Sequence, residues 1–267
     1  MGRSRTRKAG FGSPRLSRRR STPIWTGTGQ RDLTSQVRLI GLIGGLSWES
    51  SAVYYRLINQ GVRDRLGSPH SARILLWSFD FGEVERLQYQ GDWGSLARIM
   101  AEAASRLEKA GAERILICSN TMHRVFEDVQ SAVAAKLIHI ADPTGEALVH
   151  NGLKHVCLLG TKFTMEADFY RERLVKHYGL SVLVPEERQR DEIHRIIYSE
   201  LVAGKVVARS REALKQIIAE MASQGAEAVI LGCTELMLLV RDGDSPVPIL
   251  DTTTLHARAA VEAAVMP

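Results

Sequence analysis

"AGAERILICSN" (residues 110–120) and "QGAEAVILGCT" (residues 224–234) lie on one another without gaps, 114 residues apart. In both, Gly-Ala-Glu leads into a short apolar run that ends in small, hydrogen-bonding residues. Self-similarity at a fixed separation bears on architecture before any single motif does, because each copy has to fold as a comparable unit. The match continues outward. "LIGLIGGLS" (39–47) pairs with "HVCLLGTKF" (155–163), and "IHIADPTGEA" (138–147) with "VPILDTTTLHA" (247–257), which sets Asp142 opposite Asp251. One strand-helix unit therefore occurs twice, and a pseudo-twofold relation between the halves is expected.

From Val37 onward, short β-branched or Leu-rich runs alternate with longer stretches of helical period, the pattern of buried parallel strands joined by helices. Strands are expected at 38–45, 72–78, 114–120, 155–161, 228–233 and 247–252. Leu96, Ile99, Met100, Ala103 and Leu107 recur at helical spacing, as do Leu214, Ile217, Ile218 and Met221. The expected fold class is α/β, with two similar doubly wound parallel-sheet domains and an active site in the cleft between them. The division expected is residues 37–141 plus 252–267 for the first domain and 142–251 for the second.

The chain has 267 residues, 45% of them apolar, and a formal charge of +5. That charge is unevenly placed. Residues 1–36 carry nine Lys/Arg against a single acid, so the remainder is mildly acidic and nucleic acid is not an expected partner. This first stretch lacks apolar periodicity and is expected to be a disordered basic tail. It has no secretory apolar region, although its Arg/Ser-rich, acid-poor composition also fits an organelle transit peptide. No run reaches the ~18 apolar residues of a membrane span, so no membrane partner is expected. Cys118, Cys157 and Cys233 form neither a metal-ligand spacing nor an even-numbered disulfide set. A cytoplasmic protein is the expectation, with a homodimer as the base-rate oligomer.

Five loops follow strand ends: "GGLSWES" (44–50), "SNTMH" (119–123), "GTKFT" (160–164), "GCTEL" (232–236) and "DTTTLH" (251–256). Each offers hydroxyls and free backbone N–H groups ahead of a helix, the means of holding a carboxylate or phosphate. The alternative for any one of them is helix capping, for which Ser47, Thr121, Thr164 and Thr234 are well suited. Five loops converging on one cleft point instead to a small anionic ligand; no nucleotide motif is present. Cys233, between Gly and Thr at a helix start, has a setting that lowers a thiol pKa. The repeat makes Ser119 its counterpart, and strand alternation turns Cys118 to the other side. Cys118 and Cys157 read as packing residues. Asn120 and Thr121 read as donors to a carboxylate or a developing oxyanion. His123 stands one helical turn beyond Ser119 and is either an assistant to it or a structural residue. His139, His155 and His256 have no partner that the sequence reveals.

These residues resemble the aspartate/glutamate racemase superfamily, which works without pyridoxal phosphate. The likeness runs from about Arg38 to the C-terminus through "IGLIGGLSWESSAVYYRLIN" (40–59), "SNTMH", "LLGTKFTMEADFYRERL" (158–174) and "LGCTEL". It is closest to the broad amino-acid racemase or aspartate/glutamate racemase branch. The resemblance implies two bases on opposite faces of the substrate Cα, commonly two cysteines. Here Cys233 matches the second, while Ser119 stands at the first, a position where a hydroxyl also occurs in this branch. By the same resemblance Leu46, Gln88, Ser119, Asn120 and Thr121 are expected to touch substrate, with Thr161, Thr164 and Thr234 from the second half. No cofactor and no metal is implied. The expected activity is racemisation of a small polar or acidic amino acid, aspartate, glutamate or a relative. The alternatives are a non-catalytic amino-acid-binding protein and a cysteine-dependent isomerase of a small dicarboxylate.

Overall fold

A computed structural model describes residues 1–2 and 37–265. The tail expected over residues 1–36 lies, but for its first two residues, outside them. The first half of the fold comprises β1 (Ile40–Gly44), α1 (Trp48–Leu66), β2 (Ile74–Ser78), α2 (Phe81–Gln90), α3 (Trp93–Lys109), β3 (Arg114–Ile117), the 3-10 turn Thr121–Val125, α4 (Phe126–Ser131) and β4 (Lys136–Leu137). The second comprises α5 (Ala141–His150), β5 (His155–Gly160), α6 (Lys162–Glu166), α7 (Asp168–Tyr178), β6 (Ser181–Leu183), α8 (Glu187–Ile196), the π-helical stretch Ile197–Leu201, α9 (Ala208–Ser223), β7 (Ala228–Gly232), α10 (Leu236–Leu239) and β8 (Ile249–Asp251). Finally α11 (Thr252–Val265) returns to pack on α1 and β3.

Two four-stranded parallel sheets result, ordered β2-β1-β3-β4 and β6-β5-β7-β8. Both follow the same path, the first strand of each half being central and crossing over once in each direction. The sequence anticipates six strands and misses β4 and β6, which at two and three residues are too short to form an apolar run. The 114–120 strand also ends early, at Ile117; the N–H of Cys118 still donates to the carbonyl of Ile43 in β1 at 2.9 Å, and the chain leaves the sheet at Ser119.

Alternation builds the core. In β3, Ile115 and Ile117 face one cluster with Leu96 and Met100, while Leu116 and Cys118 face another with Tyr54, Ile58 and Val261. In β7, Val229 and Leu231 join Ile193, Leu214 and Ile218, while Ala228 and Ile230 join Leu148, Tyr170 and Leu174. Each sheet is thus covered on both faces, which is why its strands read as unbroken apolar runs. A fully buried aliphatic side chain contributes about 1.5–3 kcal/mol, against roughly 1 kcal/mol for a typical hydrogen bond. The four clusters therefore hold the fold, and polar contacts across the cleft are left to position groups. No helix among the described residues is long and apolar enough to cross a membrane.

The β1–α1 loop is the tightest passage. Gly45 has φ +71°, and a Cβ there would lie 2.2 Å from the carbonyl oxygen of Phe79, so only glycine lets this loop cross the end of β2. Two residues on, Ser47 has φ 73°, the sole non-glycine residue with positive φ among the described residues. This strained turn swings the first turn of α1 toward the second sheet.

Candidate active site

The carboxyl ends of β1, β3, β5 and β7 open toward one another, where ligands bind in open α/β sheets. Their loops surround a narrow cleft of about 370 Å³, part of it open to solvent. Leu46, Gln88, Ser119, Asn120, Thr121 and Thr161 line it, and so do Cys233 and Thr234. Thr164 does not reach the space and stands behind Thr121 and Thr161, within 3.3 Å and 3.2 Å. Ser119 and Cys233 each follow the end of a central strand, β3 and β7, whose order in the two sheets is the same.

Cys233 is buried, and its Sγ donates to Glu235 Oε2 at 3.1 Å. The same carboxylate receives Thr234 Oγ1 at 2.7 Å on Oε2 and Ser50 Oγ at 2.8 Å on Oε1; Ser50 and Thr234 also touch each other. Ser50 belongs to the strained first turn of α1, so an element of one half supports the acid beside the thiol of the other. The expectation of a thiolate favoured by a helix start needs correction. The helix in question, α10, has only four residues. Burial and the Glu235 charge push the thiol up, while backbone N–H groups of residues 235 and 236 draw it partly back. The acceptor nearest the thiol proton is the Glu235 carboxylate.

The Ser119 side is organised by a histidine. His123 Nε2 accepts from the backbone N–H of Ile140 at 3.1 Å, which leaves Nδ1 protonated and donating to the carbonyl of Ser119 at 2.7 Å. Both nitrogens are engaged with backbone, so of the two roles the sequence leaves open His123 takes the structural one. Burial pushes its pKa down to about 4 and keeps it neutral. Asn120, expected as a donor, uses one of its two amide N–H groups within the protein. Its Nδ2 donates to Thr252 Oγ1 at 3.0 Å, and that hydroxyl donates onward to the carbonyl of Leu231 at 2.8 Å. Asn120 also offers Oδ1, a buried acceptor with no partner among the described residues. The hydroxyls of Thr121 and Thr161 meet 2.9 Å apart across the cleft, with Thr164 behind them.

Capping explains one of these hydroxyl residues. Thr161 caps α6 by accepting from the N–H of Thr164, whereas Ser47 makes no capping bond and its Oγ is buried without a partner among the described residues. Cys118 is fully buried among Leu42, Tyr54 and Leu116, and Cys157 lies in the core on the second sheet, where burial pushes it up to about 12. His256 accepts the Tyr54 hydroxyl at Nδ1 and donates Nε2–H to the carbonyl of Ile138, both at 2.8 Å, supplying partners the sequence does not show.

The remaining wall comes from residues that sequence reasoning missed. Phe81 begins α2, and Ile197, Tyr198 and Val202 come from the π-helical stretch and its end. Tyr198 stacks on Phe81 with centroids 6.2 Å apart and donates to Gln88 Oε1 at 2.9 Å, while Gln88 Nε2 donates to Met122 Sδ at 3.2 Å. No local signal could link Gln88 to Tyr198, 110 residues away. Glu235 and Ser50 were closer to hand, each inside a loop already singled out, and an acid two residues from a candidate base is itself a signal.

Residues 43–260 match the sequence profile of the Asp/Glu/hydantoin racemase family. The crystal structure of a candidate Asp/Glu racemase from Yersinia pestis superposes with a TM-score of 0.80 at 46% identity, covering 86% of this chain and 100% of that one. An aspartate racemase homologue from Pyrococcus horikoshii OT3 gives 0.74 at 37% identity, with the same coverage. The broad-specificity amino-acid racemase of Bacillus subtilis is 27% identical over 170 residues, 64% of this chain and 73% of its own length.

Proposed function

Because the chain belongs to the Asp/Glu/hydantoin racemase family, we propose that it is a cofactor-independent amino-acid racemase that exchanges the α-proton of a small amino acid between two unlike groups. The observation that carries this reading is the presence of Ser119 and Cys233 on the lining of one small cleft, at corresponding strand ends of two sheets with the same strand order. Reaction on both faces of a Cα needs two proton-transfer groups within reach of it.

In this mechanism the hydroxyls of Thr121 and Thr161 hold the α-carboxylate. They also stabilise the charge that develops on it as the α-proton leaves. Glu235 takes the proton of Cys233, and the thiolate removes the α-proton from one face. Ser119, directly or through a water, delivers a proton to the other face, and the proton held by Glu235 returns through solvent to the oxygen so left, which restores the site; the reverse reaction runs the same transfers backward. A hydroxyl and a thiol are not equal bases, so slow or direction-biased turnover is expected.

The test is a panel of amino acids in D₂O, with loss of the α-proton signal followed by NMR for both enantiomers. Wild-type protein should wash deuterium into the α position, and Cys233→Ala should reduce the rate to near background. An unchanged rate in Cys233→Ala would remove the assignment. Saturable binding without exchange would instead fit an amino-acid-binding protein.

A further inference from the structure

The cleft must accommodate two charges that every α-amino acid brings, and its polar groups match those two and no third. The α-carboxylate meets the hydroxyls of Thr121 and Thr161. The α-ammonium has Asn120 Oδ1, which lacks any other partner among the described residues. The rest of the lining is Leu46, Phe81, Ile197, Tyr198 and Val202. The two polar groups nearest that wall are already engaged, Tyr198 Oη with Gln88 Oε1 and Gln88 Nε2 with Met122 Sδ.

Among the described residues lining the cleft there is no Lys or Arg. The cations around its rim are held elsewhere. Lys162 pairs with Asp191 and Glu166, Arg195 with Glu192 and Glu200, and Arg124 stacks over the ring of Trp93 at 4.1 Å. A substrate side chain ending in a carboxylate would enter a narrow cleft whose one charged lining residue, Glu235, is itself an acid. Among the described residues it would find no cation on the wall it must face, and only the second N–H of Gln88 Nε2 as a donor. A cationic side chain fares little better, because Glu235 already accepts from Ser50, Thr234 and Cys233.

We infer that the side-chain subsite, formed by Leu46, Phe81, Ile197, Tyr198 and Val202, takes an amino acid with an uncharged side chain and discriminates against aspartate and glutamate. This rests on the proton-exchange reading above and narrows its substrate. Tyr198 and Val202 are the specificity-determining residues, since they bring the π-helical stretch and its end onto the lining of the cleft.

The experiment compares kcat/KM for α-deuterium exchange by the wild-type protein with alanine, serine, asparagine, leucine and methionine on one side and aspartate and glutamate on the other. At least one uncharged amino acid should exceed both acids by tenfold or more. Exchange led by aspartate or glutamate overturns the inference and leaves the racemase reading intact, whereas exchange with no amino acid removes both. Val202→Lys supplies the cation that the wall lacks and should raise aspartate relative to the best uncharged substrate by about tenfold or more. An unaltered ratio in a folded Val202→Lys protein would also count against the subsite, and the wild-type panel decides the matter if that variant does not fold.

Discussion

A carboxylate 3.1 Å from a thiol does two opposed things to it. Its charge disfavours the thiolate, yet its oxygen is the acceptor through which the thiolate can form. Glu235→Gln separates the two effects. Without the negative charge the Cys233 thiol should titrate at lower pH than in the wild type, read as thiolate absorbance against a Cys233→Ala blank. Without the acceptor, kcat for exchange should fall by about 10²-fold, the scale of general acid–base assistance. A thiol that titrates higher, or a kcat that holds, would show that Glu235 only packs there. At the opposing position, Ser119→Cys replaces a hydroxyl by a group whose pKa is nearer neutrality, and a rise of about tenfold in the exchange rate is expected. A fall of that size would mean that Ser119 acts through geometry a sulfur cannot adopt.

Among the elements, the 3-10 turn after β3, the start of α5 and the first turns of α11 meet around three buried histidines. His123, His139 and His256 stack edge to face with ring centroids 4.6 Å and 5.7 Å from His123. Burial lowers all three, His123 to about 4 and His256 to about 3. The unfolded chain binds these protons near pH 6.5, and the folded chain does not until pH falls through the lowered values. Stability is therefore intact above pH 6.5, falls as pH drops through the window down to about 4, and is recovered on returning above it. For His123 alone the full loss is on the order of 3 kcal/mol. Urea midpoints measured between pH 7 and 4 should decline, and His123→Gln should flatten part of that slope; a pH-independent midpoint would contradict the burial of neutral rings. The helices α3 and α9 were readable from apolar period, and the ends of β3 and β7 from the repeat. The histidine partners were not, because Tyr54 meets His256 through the packing of α1 on α11, 202 residues apart in sequence. The same holds for the aromatic wall, since the π-helical register that aims Tyr198 leaves no mark in composition.

At the scale of the whole molecule, contacts across the cleft tie one sheet to the other at each side of the site: Ser50 to Glu235, Thr121 to Thr161, Asn120 to Thr252 and Tyr198 to Gln88. Tyr198→Phe should leave the fold unchanged by circular dichroism and raise KM for exchange severalfold with little change in kcat, because it loosens the wall without touching a proton-transfer group. A change confined to kcat would place Tyr198 in the chemistry. The repeated strand order also carries a consequence for how such a site comes to exist. Two separate identical chains meeting at a symmetric cleft must present the same residue to both faces of whatever they bind. Joined end to end in a single polypeptide, the two copies are released from that identity, and a hydroxyl can stand at one strand end while a thiol stands at its counterpart.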